Sequence, residues 1–385
     1  MQNLHLAAAL VASERGRARD PMPDGHLVPR SFEYVRASYG SRFHRAVRMS
    51  DPCVLKLVDM LRPHLPSSPH AMSPALRVLA AVRYYTEASY LDVCALAGLA
   101  PSTFYDAVWT FTDAVMSTTE LQMSMPVWDA GWRRRTAAGF QRRSDSPLRN
   151  IIGSLEGIAG RQERPTAAEV TCTKDYWSRK GFSAYNVQAI CESNYEFLWM
   201  SCRTPGSSHD LSALACSDLV RELKDPAIPL IALMVREGLC ITADEAYRDS
   251  EVFAVPWPGE GGGDQWKDAY NFYQSSVRVH IEQAVGQLVW RWGIFWKLLR
   301  MPFSKRPLVI HRAFLLHNLC RRHDTMPLSL LDGTTEAHRA MHVEQGTGAG
   351  RQPNIRHRGR GSDLRRRMTQ VVEESGRVRP YVPSI

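Results

Sequence analysis

Between Ser31 and about Val115 apolar residues recur every three or four positions, the period of amphipathic helices. In DPCVLKLVDMLRPHL, Val54, Leu57, Val58 and Leu61 share one face, with Asp51 as N-cap and Pro52 at the first helical position. SPALRVLAAVRYYTEA predicts a second helix, capped by Ser73 with Pro74 behind it. SYLDVCALAGLAPSTFYDAVWTFTDAV then predicts two helices about a glycine turn. Ser89 opens the first over Tyr90, Val93 and Leu96, and Gly98 turns the chain. Pro101-Ser102-Thr103 opens the second, with Phe104, Val108 and Phe111 inward. This is helix-turn-helix grammar. DNA contact through Ser102 and Thr103 and plain bundle packing both fit it.

From Ile151 the pattern changes to strands. IIGSLEGI is a short apolar run that should leave Glu156 at a strand exit. SAYNVQAICE and YEFLWMSCRT are β-rich and separated by Ser193-Asn194, a hairpin signal. The turn Gly206 to Asp210 opens a helix through Leu211, Leu214 and Leu219. GLCITADEAY predicts another apolar strand, ending in Asp244. SSVRVHIEQAVGQLVWRWGIFWKLL predicts a long amphipathic helix with Glu282 near its start and Val277, Ile281, Val285, Leu288 and Trp292 on its apolar face. Trp290, Trp292 and Trp296 are expected to pack that helix against the sheet. PWPGEGGGDQW reads as a mobile surface loop without chemistry.

Composition supports two or three domains in 385 residues, 44% hydrophobic and 23% charged, the balance of an ordinary globular protein. The divisions read as a disordered 1–30, a helical 31–120, a basic connector 121–150 (Arg133, Arg134, Arg135, Arg142, Arg143), a strand-containing 151–323 and a flexible basic tail 324–385. No apolar run approaches the length of a membrane span, and no basic stretch precedes the short apolar patch at the start, which argues against a secretory signal. Eight scattered cysteines without a C-x-x-C pair read as reduced thiols, neither a disulfide framework nor a zinc site. The net charge of +9 and pI of about 9.2 attract polyanions, nucleic acid above all, or serve solubility. The arginines of the tail suit phosphate neutralisation or nuclear import alike.

Strand, hairpin, helix, strand, helix, with carboxylates at two strand ends and on a late helix, is a mixed α+β layout. It resembles an RNase H-like (retroviral-integrase-type) nuclease domain, here preceded by an all-α, helix-turn-helix-containing region. Such chemistry needs two divalent ions about 3.5–4 Å apart to clamp the attacking and leaving oxygens of a phosphodiester. Carboxylates from separate elements, Glu156, Asp244 and Glu282, supply hard oxygen ligands suited to Mg2+ or Mn2+.

Six stretches in order sharpen this: YWSRKGFSAYNVQAICE, PGSSHD, DEAY, NFYQSSVRVHIEQAVG, RWGIFW and LLHNLC. Together they resemble the PIF/Harbinger superfamily of DDE transposases over about half the chain. The resemblance implies a nuclear DNA endonuclease that hydrolyses and then transfers strands. Asp244 and Glu282 take the second and third metal-ligand positions, and the first falls on Glu156 in GSLEG, where the family has aspartate. A glutamate is one methylene longer, and misplacement by about 1 Å can cost on the order of 100-fold.

His209 and Asp210 match a family turn and would support the site, although Asp210 could equally be an N-cap. Arg179 and Lys180 suit a phosphate grip, and Arg278, one turn ahead of Glu282, suits DNA contact or a plain i,i+4 ion pair. The resemblance also implies DNA and a Myb-like accessory protein as partners, and it leaves room for a homo-oligomer. The contrasting reading is a decayed or domesticated transposase that binds DNA or protein without cutting.

Overall fold

The computed structural model describes residues 29–66, 72–259, 263–299, 301–325 and 362–380. Outside them lie most of the segment expected to be disordered (1–28), positions 260–262 of the glycine-rich loop, and 326–361 of the tail.

Among the described residues, six α-helices come first: α1 (Phe32–Tyr39), α2 (Phe43–Val47), α3 (Asp51–Leu61), α4 (Pro74–Tyr85), α5 (Tyr90–Ala97) and α6 (Pro101–Ser117). In α3 the four expected residues are buried, but Ser50 takes the cap position and Asp51 pairs with Arg36. Ser73 Oγ accepts from Leu76 N–H at 3.3 Å, capping α4. Gly98 turns the chain between α5 and α6 at φ +65, a left-handed conformation that glycine adopts at little cost. Phe104, Val108 and Phe111 are fully buried, so α6 is anchored as its spacing predicts.

The stretch read as a basic connector contains a helix, α7 (Ala130–Ser144). Asp129 caps it, and Trp132, Thr136, Gly139 and Phe140 form a buried stripe while the arginines occupy the remaining faces. The arginine count masked a helical period.

The sheet follows: β1 (Ile151–Arg161), β2 (Ala184–Cys191) and β3 (Phe197–Pro205) form an antiparallel meander. Three helices, α8 (Asp210–Ala215), α9 (Asp218–Lys224) and α10 (Leu230–Glu237), lead to β4 (Cys240–Thr242) and β5 (Phe253–Ala254), which run parallel to β1. The order is β3-β2-β1-β4-β5. The helix expected after Asp210 is broken, because Ser217 caps a new one at Asp218. Glu156 sits in the middle of β1, not at its exit, since pairing with β2 continues to Arg161.

Helix α11 (Gln265–Arg291) starts earlier than its apolar run suggests, because Asp264 accepts from Trp266 and Lys267 N–H. Glu282 therefore lies in its second half. Helix α12 (Arg306–His323) packs on β3, where Asn318 both accepts from Phe197 N–H (2.8 Å) and donates to Phe197 C=O (2.7 Å). One face of the sheet buries Val187, Ala189 and Cys191 in a core shared with α11, α12 and the N-terminal helices. The other face buries Leu155, Ile190 and Ile241 against α8–α10. The Trp292 ring meets Tyr85 of α4 at 6.3 Å within the core that it shares with the sheet, while Trp296 lies under Arg48 at 4.2 Å.

The tail contributes helix α13 (Asp363–Glu374), contrary to its reading as a wholly flexible arm. Leu364, Met368 and Val372, four apart, bury a stripe with Cys240, Tyr270, Tyr273 and Val277. Arg365 bridges to Asp249 (3.1 Å) and stacks 4.1 Å from the Trp257 ring. Trp257 is also tied to Asn271 by two hydrogen bonds, which pins this part of the loop expected to be mobile.

Candidate active site

The parallel ladder between β1 and β4 ends at Ser154 and Thr242, whose hydroxyls bond at 3.1 Å. Glu156 and Asp244 each lie two residues beyond that pair, so the ladder sets both carboxylates at the same level. Asp244 Oδ1 accepts from Ala246 N–H at 2.9 Å, fixing its side chain in a local turn. From α11, buried Gln274 donates to Ala243 C=O (2.7 Å) and Ala254 C=O (3.0 Å), which locks the helix register against β4 and β5. One turn on comes Arg278, and one turn after that Glu282.

Arg278 is the hub. Its Nη1 stands 2.6 Å from Glu156 Oε2 and its Nη2 2.6 Å from Glu282 Oε1. The sequence left open a plain i,i+4 pair with Glu282; the structure adds Glu156 from the sheet to the same guanidinium. Burial pushes the Glu156 carboxyl up to about 7; Arg278 opposes this, while Asp244, Glu282 and Asp210 reinforce it. Burial also raises Asp244, against the pull of the Ala246 N–H. For Arg278, burial works against the charge, but Glu156 and Glu282 outweigh it and hold the guanidinium above its ordinary range.

Behind these carboxylates, a further one, Asp210, is held by a network of amide and hydroxyl groups. Asp210 Oδ1 accepts from Asn186 Nδ2 (2.9 Å) and Gln188 Nε2 (3.2 Å). Gln188 Oε1 accepts from Tyr247 O–H at 2.6 Å, closing a path from α8 across β2 to the turn after Asp244. Asp210 is therefore no N-cap; His209 holds that position, without a side-chain cap bond. Gly157 makes room for the network, since a Cβ there would lie 2.2 Å from Asp210 Oδ1. Sequence reading missed Asn186, Gln188 and Tyr247 as site residues. The signal was present: two amides at i and i+2 in the wholly buried strand AYNVQAIC must find polar partners on one face.

The other expected residues divide. Arg179 reaches Asp210 Oδ2 at 3.9 Å, and half-buried Lys180, lowered by burial, feels Glu156 and Asp210. His209 is exposed beside them. Ser102 and Thr103 sit in the first turn of α6 and take no part in this network.

The donor set suits a hard divalent cation: three carboxylates, two of them already sharing one positive group. The oxygens of Glu156, Asp244 and Glu282 do not close to within 4.8 Å of one another, a spacing met among the described residues by Cys53, Cys320 and Asp324. That second group is no cation site. Asp324 is engaged by Arg291 at 2.7 Å and by Ser50 N–H at 3.2 Å.

No curated protein and no solved structure matches the chain. Residues 155–318, which take in Glu156, Asp210, Asp244, Arg278 and Glu282, match the model of the DDE superfamily endonuclease family, and the match supports a DDE transposase-like family for this segment.

Proposed function

We propose that the chain is a DDE-type DNA transposase or endonuclease of the PIF/Harbinger kind, with an RNase H-like nuclease domain and a helix-turn-helix DNA-binding region ahead of it. The observation that carries this reading is the meeting of Glu156 from a strand and Glu282 from a helix on one guanidinium, with Asp244 of the strand-end turn near enough to act on its charge. The family match of the same segment favours it.

Glu156, Asp244 and Glu282 would hold Mg2+ or Mn2+, which when bound supplies the charge that stabilises the attacking and leaving oxygens of the phosphodiester. Within the chain, the Ser154–Thr242 bond and Gln274 keep the carboxylate-bearing elements in register. The Tyr247–Gln188–Asp210 path holds the turn after Asp244 against the sheet. Arg179 and Lys180 offer positive charge to the DNA backbone beside Glu156. Nuclear action, a Myb-like accessory protein and a homo-oligomer belong to the same reading, consistent with the net charge of +9.

The test is metal-dependent nicking of a duplex carrying candidate element ends. The native protein should nick with Mg2+ or Mn2+, and Asp244→Ala should not; equal nicking by both would refute the assignment. A second reading, a decayed transposase that binds without cutting, is favoured by one observation: the longer Glu156 carboxyl is raised to about 7 and tied to Arg278. It predicts no nicking by the native protein and strong nicking by Glu156→Asp.

A further inference from the structure

The segment ahead of β2 is a small rigid hairpin. Trp177 and Ser183 form a β-bridge, Ser178 N–H donates to Phe182 C=O at 2.9 Å, and Ser178 Oγ donates to the same oxygen at 2.8 Å. Gly181 N–H donates to Ser178 C=O at 3.0 Å, with Gly181 at φ +81 where the tip reverses. Arg161 lies 5.3 Å from the Phe182 ring and ties the hairpin to β1. The tip presents Arg179 and Lys180.

Hairpin, β1 beyond Glu156 and the turn Gly206 to Asp210 enclose a cleft of about 160 Å³. That is below the roughly 300–1,000 Å³ that a drug-sized ligand or cofactor takes. It suits a phosphate with part of a sugar. Asp210, the one carboxylate lining it, spends Oδ1 on Asn186 and Gln188 and meets Arg179 only at 3.9 Å. Trp177, directly before the lining residue Ser178, is 54% exposed and leaves an aromatic surface open to solvent. Two cations at the tip of a hydrogen-bonded hairpin, two and three residues after an exposed aromatic, are the groups that grip an unpaired nucleic-acid strand.

Resting on the DNA-cutting reading, we propose that this cleft is a subsite for a single DNA strand next to the cleavage site. Arg179 and Lys180 hold a backbone phosphate, and Trp177 stacks on an adjoining unpaired base. In a duplex the bases are stacked on each other and do not offer a face to the indole, so the subsite distinguishes a frayed or freed strand end from intact duplex.

The test uses the full-length protein in chelator, so that cleavage plays no part. Binding of a labelled oligonucleotide is followed by fluorescence anisotropy for a single strand, a duplex with a 3′ overhang and a blunt duplex. Trp177→Ala should weaken the first two about tenfold and leave the blunt duplex unchanged, while Trp177→Phe keeps most of the affinity. The double change Arg179→Gln with Lys180→Gln should reduce the salt dependence for single strand by about 0.7 in slope, the loss of one phosphate contact. Equal weakening of all three DNAs by Trp177→Ala, or no weakening of any, overturns the subsite. If the native protein binds none of the DNAs, the DNA-cutting reading fails with it; if it binds them and the variants behave like the native protein, only the subsite fails.

Discussion

Arg278 Nη1 stands 2.6 Å from Oε2 of Glu156, so a cation built into helix α11 already neutralises the carboxylate of β1. The same guanidinium reaches Glu282 at 2.6 Å. If Glu156 and Glu282 hold a divalent ion, that ion would compete with Arg278 for them. Arg278→Gln should therefore lower stability without metal, by about 1–3 kcal/mol for a partly buried charged pair left open. Added Mn2+ should then raise the melting temperature more in the variant than in the native protein, because binding to the folded state alone stabilises it. Thermal unfolding with and without Mn2+ measures both; equal metal shifts would count against competition at this point.

The Glu156 carboxyl gives a pH dependence with a definite sign. Unfolded, it ionises near 4.5; folded, burial moves it to about 7. Between these values the folded protein holds the extra proton, so stability falls as pH rises. The contribution is complete below about 4.5 and gone above about 7. In chelator, the native protein should lose roughly 1–3 kcal/mol more than Glu156→Gln between about pH 5 and pH 8. Urea unfolding at several pH values tests this, and parallel curves for the two proteins would show that Glu156 is not held protonated.

Gly157 and Asp210 are coupled by space. A methyl group at 157 would fall 2.2 Å from Asp210 Oδ1 and 3.0 Å from Gln188 Nε2. Gly157→Ala should cost about 1–3 kcal/mol as the network gives way. In a double-mutant cycle with Asp210→Ala, the pair should cost less than the sum of the single changes by at least about 0.5 kcal/mol. Strict additivity would place the strain elsewhere.

Helix α13 belongs to the folded body. Met368 is buried against Cys240 and the tyrosines of α11, so Met368→Ala should cost about 2–5 kcal/mol. A loose arm would give a change within about 0.5 kcal/mol. Equilibrium unfolding decides between them.

The contrast between well-read and misread segments has a physical basis. Helices α3 to α6 are legible because their apolar spacing is regular and prolines in the first turn mark the starts of α3, α4 and α6. The stripes of α7 and α13 were not, because arginine dominates both and drowns the period in composition. Asp244 and Glu282 stood out within short motifs, and Glu156 within GSLEG. Their relation to Arg278 was only half visible: i,i+4 spacing reveals a partner on the same helix, whereas Glu156 arrives across 122 residues of chain. The break between α8 and α9 and the true start of α11 rest on the caps Ser217 and Asp264, which lie in polar runs where many residues could cap.

We propose that Glu156, Asp244 and Glu282 form one cation site. Calorimetric titration of the metal-free protein with Mn2+ tests it most directly, comparing the native chain with Asp244→Ala and Glu282→Gln. Native protein should bind Mn2+ saturably, and each substitution should weaken that binding at least about tenfold, a loss of some 1.4 kcal/mol. Binding of equal strength in all three proteins would contradict it.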